Sequence, residues 1–179
     1  MLRRLLPFIA ALWLSLLLVD SYPGWRDGVS WYVQRELCHA AGRGWLTEVK
    51  FLGALGANLD GWNTTYRPIH FAAENGQTEV VEYLLNEGVS ANAEREWFFS
   101  PLMAAASNGH ADTVRFLLAR GAKVNTAYLS SEAGYQHETA LDMVNRKWHA
   151  ETYFVLRRAG ARTAIELGVR CSEKFITCD

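Results

Sequence analysis

The sequence has little of what metal binding, nucleic-acid recognition or catalysis requires. Its 179 residues include only three cysteines and five histidines, and neither residue type occurs at the spacing of a zinc site. The formal net charge of −1 provides no basic excess for nucleic acid. The chain also lacks a phosphate-binding glycine loop and a nucleophile elbow. We therefore expect neither an enzyme nor a protein that binds a cofactor, a metal or nucleic acid.

What the sequence does contain is an internal repeat. Residues 68–76 match residues 101–109 after a shift of 33 positions, and Gly88 matches Gly121 after the same shift. A fixed period of this length indicates stacked units, because one unit is too small to bury its own apolar face. Stacked units present a long open surface, so the repeat favours recognition of a partner over catalysis in a crevice.

Each unit has the pattern of two short antiparallel helices. A proline opens the first helix, a glycine closes it, and paired aliphatic residues mark the second helix. The small alanine pairs at 72–73 and 105–106 let the first helices of neighbouring units approach closely. A further glycine ends each second helix by accepting a left-handed conformation.

This unit resembles the ankyrin repeat, whose pattern is Thr-Pro-Leu-His, two alanines, a glycine, paired leucines and then Gly-Ala-Asp-x-Asn. The closest matches are Arg67-Pro68-Ile69-His70 and Gly121-Ala122-Lys123-Val124-Asn125. The resemblance implies an all-α solenoid of helix-turn-helix repeats with finger loops, and a bracing hydrogen bond from His70 to the backbone. It places an ankyrin-repeat domain at 36–164, with repeats at about 36–62, 63–95, 96–128 and 135–164.

The two outer units depart from this pattern as capping units do. Cys38 and Asp142 replace the motif histidine, Glu36 and Ala140 replace the proline, and Trp148 replaces the glycine. Six additional residues lengthen the connection between 126 and 136 ahead of the fourth unit. This connection either folds over the concave face or is a solvated insertion without a role.

The N-terminus predicts an export signal or a membrane anchor, because an apolar run at 5–19 directly follows Arg3 and Arg4. As a helix the run reaches about 22 Å, shorter than a hydrocarbon core of roughly 30 Å, so a cleaved signal and a retained anchor both remain open. No Ala-x-Ala cleavage site follows, which favours an uncleaved anchor within 1–21. A buried helix that caps the solenoid is a further alternative.

Either form of export sends the repeats to an extracytoplasmic, periplasm-like space or into the medium, because positive charge resists translocation. After a break at 21–24, we expect a linker and a capping helix within 22–35, with the helix itself over 27–36. Residues 165–179 are expected to form a tail, in which Cys171 and Cys178 either form a local disulfide or stay free. Cys38 is expected to face inward.

The resemblance also implies which residues contact a partner: those of the finger loops and the exposed end of each first helix. Aromatic anchors carry much of the energy of many interfaces. The expected protein-binding residues are Trp62, Asn63, Tyr66, Glu74, Asn75, Arg95, Trp97, Phe98, Phe99, Asn108, Tyr135 and Arg146. Alternatively, the aromatic residues of the fingers pack against one another.

Together these features favour a monomeric protein-binding module that is exported across a membrane or tethered to it. Short exported ankyrin proteins resemble those of bacterial envelopes, which either mask a toxin or an enzyme or act on a host. A structural spacer in a membrane complex is an alternative from a different class.

Overall fold

The structure, a computed structural model, describes residues 23–61, 67–94, 99–130 and 136–168. Within these ranges the chain forms eight helices and one two-stranded hairpin. In chain order they are α1 (Pro23–Gly42), α2 (Leu46–Ala54), α3 (Pro68–Glu74), α4 (Thr78–Asn86), α5 (Pro101–Ser107), α6 (Ala111–Ala119), β1 (Ala127–Ser130), β2 (Gln136–Thr139), α7 (Ala140–Lys147) and α8 (Ala150–Arg158).

The helices pack in two layers. The first helices of the pairs, α1, α3, α5 and α7, lie side by side in an inner layer, and α2, α4, α6 and α8 form an outer layer. Each inner helix also packs against the outer helix that follows it in the chain. The architecture is therefore an α-solenoid of stacked helix pairs, which confirms the predicted class of fold.

One apolar core runs between the two layers. Every helix pair contributes fully buried leucine or isoleucine side chains, namely Leu37, Leu52, Ile69, Leu84, Leu102, Leu117, Leu141 and Leu156. The alanine pairs on α3 and α5 are buried as well, since only small side chains permit a close approach of neighbouring helices. Cys38 is buried on α1, as its position in the repeat predicts.

Two of the inner helices, α3 and α5, begin with the proline that the sequence predicts. Pro68 and Pro101 are the first residues of α3 and α5, where a missing amide hydrogen costs no helical bond. The hydroxyl of Ser100 also caps α5. α7 has no proline at its start and is capped instead by a capping box between Thr139 and Asp142. Asp142, which replaces the motif histidine, therefore helps to cap this helix.

Helix α1 is longer than the sequence suggests. The expected helix over 27–36 is confirmed, but it is part of a single helix that runs from Pro23 to Gly42. Residues 23–24 of the expected break are therefore helical, and 21–22 lie outside the described residues. Proline is well tolerated in the first turn of a helix, so Pro23 starts α1 instead of interrupting the chain. The first helix of the first unit is therefore the C-terminal part of α1.

The connection ahead of α7 contains a β-hairpin, which corrects the expectation of a purely helical chain. β1 and β2 pair antiparallel, with Ala127 opposite Thr139 and Leu129 opposite His137. The six additional residues of this connection give its two arms enough length to form a short ladder. The extra length thus builds a longer finger.

Polar contacts fix the segment after α8 on the last helix pair. The Asp142 carboxylate accepts the amide hydrogen of Ala164 at 2.8 Å, and Arg157 donates to both carboxylate oxygens of Glu166 at 2.9 and 3.0 Å. Hydrogen bonding from Arg157 lowers the pKa of Glu166 to about 2. Glu166 thus ties the first residues of the expected tail to α8, and residues 169–179 lie outside the described part of the chain.

Several predicted features lie outside the described residues. They are the apolar run at 5–19 and the tail cysteines Cys171 and Cys178. Within the described part of the chain, no helix has the length and the apolar character to cross a membrane.

Asparagine side chains join consecutive units where the outer helices end. The amide of Asn92 donates to the Gly121 carbonyl at 3.1 Å and accepts from the Lys123 backbone at 2.7 Å. The equivalent Asn125 makes the same two bonds with the following unit, at 3.3 and 2.8 Å. Each asparagine therefore satisfies backbone groups of the following unit, at the point where the outer helix of that unit ends.

A second contact between units lies at the turn from inner to outer helix. In three successive units this turn contains a glycine with a positive φ between 69° and 77°. A side chain of the following unit occupies the space where a Cβ atom would lie: Gln77 covers Gly44, His110 covers Gly76 and His149 covers Gly109. The glycine thus meets two requirements, a left-handed backbone and room for the neighbouring unit.

Two glycine substitutions separate these requirements. Gly121→Ala adds a Cβ with nothing within 4 Å and should lower the free energy of unfolding by about 1–2 kcal/mol, the cost of a left-handed backbone. Gly109→Ala places its Cβ 2.6 Å from the His149 ring and should cost about 1–3 kcal/mol more. Chemical denaturation measures the difference. His149→Ala should remove that excess in the Gly109→Ala background, and equal losses in the two single variants would contradict the packing argument.

Candidate binding surface

The surface to consider for binding is the side of the inner helices that faces away from the outer layer. We call it the inner face and define it by His39, Arg43, Phe71, Asn75 and Asn108, which are exposed or half-buried. Arg43, Asn75 and Asn108 occupy equivalent positions in three consecutive units. The inner face therefore presents a row of polar side chains at the ends of neighbouring helices.

Four of the residues predicted to contact a partner are exposed at the C-terminal ends of inner helices. Glu74 is the last residue of α3, Asn75 and Asn108 follow α3 and α5 directly, and Arg146 lies in the last turn of α7. Arg146 is also 3.2 Å from the carboxylate of Glu138 on β2, so part of its charge is already compensated.

The two asparagines have a structural task as well. The Asn75 amide donates to the Phe71 carbonyl at 2.9 Å, and the Asn108 amide donates to the Glu74 carbonyl at 2.9 Å. A ring nitrogen of His110 lies 3.0 Å from the same Glu74 oxygen. The bonds to Glu74 satisfy a carbonyl group at the end of α3, whereas the Phe71 carbonyl also accepts the Asn75 backbone amide. The bonds hold both side-chain amides in fixed orientations.

Phe99 takes part in packing between fingers. Its ring lies 5.1 Å from that of Tyr128, edge to face, and 6.4 Å from that of His70. The ring is half-buried against the core. The Phe99 carbonyl lies 2.9 Å from a ring nitrogen of His70, which therefore braces the base of the next finger. Phe99 thus fits the packing alternative that the sequence leaves open.

The remaining predicted residues lie outside the described ranges. They are Trp62, Asn63, Tyr66, Arg95, Trp97, Phe98 and Tyr135, all from the finger loops. Their part in binding stays a prediction.

Reasoning from the sequence missed an aromatic groove at the C-terminal end of the stack. Trp148, Tyr153, Phe154 and Val144 contribute to the wall of a cavity of about 340 Å³. Trp148 is 89% exposed and Phe154 is 64% exposed, which is unusual for rings of this size. The only signal in the sequence is tryptophan at a motif glycine, which points to a capping unit and not to a groove.

Trp148 has the left-handed backbone of the glycine that it replaces, with φ 59° and ψ 39°. A bulky residue rarely adopts this conformation, which costs about 1–2 kcal/mol. The glycines at this turn in earlier units are covered by a side chain of the next unit, whereas no further helix pair follows α8 in the described residues. A side chain is therefore sterically possible at this turn only where the stack ends.

Stacked pairs of short helices define this chain as a helical repeat protein. A family model described as ankyrin repeats, in three copies, matches residues 37–128, just over half of the chain. The chain therefore belongs to the ankyrin-repeat family. The match begins within α1 and ends within β1, and the pair α7 and α8 lies beyond it. No curated protein matches the chain.

Membership of this family has a general consequence for function. Ankyrin repeats are generally protein–protein interaction modules and are typically not enzymes. In the part of the chain that the structure describes, histidine, cysteine, aspartate and glutamate side chains form no group of three or more that could hold a metal ion. Membership of the family therefore suggests a protein partner.

Proposed function

We propose that this chain is a non-enzymatic binding module that holds a protein partner between its finger loops and its inner face. The observation that carries the proposal is the row of exposed polar positions at the ends of consecutive inner helices, formed by Arg43, Asn75 and Asn108. A partner that lies across several units contacts this row and the fingers at the same time.

The fixed orientation of the row supports this function. The amides of Asn75 and Asn108 are each held by a backbone carbonyl, so binding does not have to order them first. Preordered groups lose less conformational entropy on binding, which leaves more of the contact energy as affinity. Aromatic finger residues such as Trp62 and Trp97 supply the large contact areas that interface anchors require.

The proposal extends to location. The apolar run at 5–19, with Arg3 and Arg4 ahead of it, tethers the chain to a membrane and places the repeats on the extracytoplasmic side. The support is the apolar character and flanking charge of this segment and the lack of an Ala-x-Ala site after it. The module then presents its partner-binding surface to a periplasm-like space.

Binding through the fingers can be tested by replacing two of their aromatic residues. The variant with Trp62→Ala and Trp97→Ala should bind a partner captured from the membrane compartment at least about tenfold more weakly, since interface anchors often contribute about 2 kcal/mol or more. Phe51→Ala is the control, because it removes a half-buried ring from outer helix α2, away from the fingers, the inner face and the aromatic groove. Unchanged affinity in the double variant, or loss of its cooperative thermal transition, would show that these rings do not serve as anchors.

The tether can be tested by fractionating cells that express the full-length chain. We expect the intact chain in the membrane fraction, resistant to extraction at high pH, because an uncleaved apolar helix stays in the bilayer. Immunoblotting and the mass of the intact protein give the result. A shortened soluble form would show that the apolar run is a cleaved signal and not an anchor. A full-length soluble chain would exclude both a signal and an anchor.

A further inference from the structure

A second groove, separate from the aromatic one, lies on the inner face between α1 and α3. Its volume is about 300 Å³, and its walls include Arg35, His39 and Arg43 on one side and Phe71 and Asn75 on the other. The three residues of the first side are four positions apart, so they form one stripe along α1 and the residue after its end. Two of them are arginines, and no acidic side chain of a described residue lines the groove.

The two arginines differ in how far their charges are compensated. Arg35 lies 3.1 Å from the carboxylate of Glu36 and stacks on the rings of Trp31 and Tyr32. Arg43 is exposed and forms no ion pair with another described residue. The groove therefore presents one uncompensated positive charge, and that charge belongs to Arg43.

Trp45 holds the polar side of the groove in place. The Arg43 guanidinium lies 5.7 Å from the centroid of the Trp45 ring, and the His39 ring meets the same indole edge to face at 5.6 Å. Trp45 itself packs against the apolar core. Stacking on an anchored indole restricts the guanidinium before any partner arrives, and the planar group still presents several N–H donors.

The opposite side of the groove is apolar at its base and polar at its edge. Phe71 is half-buried, and the Asn75 amide lies at the end of α3. A Cβ atom at Gly42 would lie 3.4 Å from the Asn75 amide nitrogen and 3.5 Å from the Phe71 Cβ, so this glycine brings α1 close to α3. The result is a narrow groove with an apolar base and one cation at its rim.

We propose that this groove binds one carboxylate side chain of the protein partner, with Arg43 as the cation that pairs with it. The proposal rests on the proposed function and assigns the chemistry of one contact. A guanidinium matches a carboxylate through two parallel hydrogen bonds, and Phe71 receives the aliphatic part of a glutamate. A single uncompensated charge suits a monoanionic carboxylate better than a phosphate dianion, which proteins typically bind with a cluster of arginines.

The test uses the full-length chain in detergent and fluorescein-labelled decaglutamate as the probe, with labelled decaglutamine and decalysine for comparison. Fluorescence anisotropy should show that decaglutamate binds, that the other two peptides do not, and that higher salt weakens the binding. Arg43→Gln should weaken decaglutamate binding about fivefold to tenfold, the effect of losing a well-placed ion pair. Arg43→Lys keeps the charge but loses the planar group, so we expect a smaller loss.

Arg158→Gln is the matched control, because it makes the same change in net charge at an exposed position of outer helix α8. Its affinity for decaglutamate should equal that of the unmodified chain. The proposal is overturned if decaglutamate does not bind, if decalysine binds equally well, or if Arg43→Gln and Arg158→Gln have equal effects. If one of these results is found while the Trp62→Ala and Trp97→Ala variant still loses affinity for its partner, the proposed function stands and only the carboxylate site is removed.

Discussion

The contact between neighbouring units is the constraint on which the rest of this structure depends. A single helix pair cannot cover its own apolar side, so each pair needs the next one. Two kinds of contact set the spacing: a side chain such as His149 that lies over a left-handed glycine, and an asparagine such as Asn92 that bonds to the backbone of the following unit. Each contact requires a specific residue on one side, a glycine at the covered turn or an asparagine that bonds to backbone groups, which is why the period is visible in the sequence.

The same constraint explains why the two ends of the stack differ from its middle. At the C-terminal end no described helix pair covers the turn of the last inner helix, and a tryptophan can occupy a position that is glycine elsewhere. At the N-terminal end the inner helix extends to Pro23. Between the ends, regular spacing places Arg43, Asn75 and Asn108 in one row, so the geometry that stabilises the stack also forms the surface that we propose for binding.

Much of the fold follows from the sequence because the repeated residues act through local or periodic contacts. Pro68, Pro101 and the buried alanines fulfil the roles that their positions predict. The hairpin depends on pairing between two arms of a finger, and the groove between α1 and α3 depends on the contact between Trp45 and Arg43. Neither contact belongs to the repeated pattern, so a search for that pattern does not reveal it. Phe99 illustrates the same difficulty, because an aromatic residue in a finger suits packing and binding equally.

The most direct test of the stacked arrangement is a cysteine cross-link between outer helices of adjacent units. The hydroxyls of Thr78 and Thr113 lie 2.7 Å apart, a separation that suits a disulfide after Thr78→Cys and Thr113→Cys. The account predicts that mild oxidation joins these two introduced cysteines, as found by mass spectrometry of the linked peptides, and that no bridge forms when Thr78→Cys is combined with Thr152→Cys two units away. A bridge in the second pair, or none in the first, would contradict a stack in which each unit contacts only its neighbours.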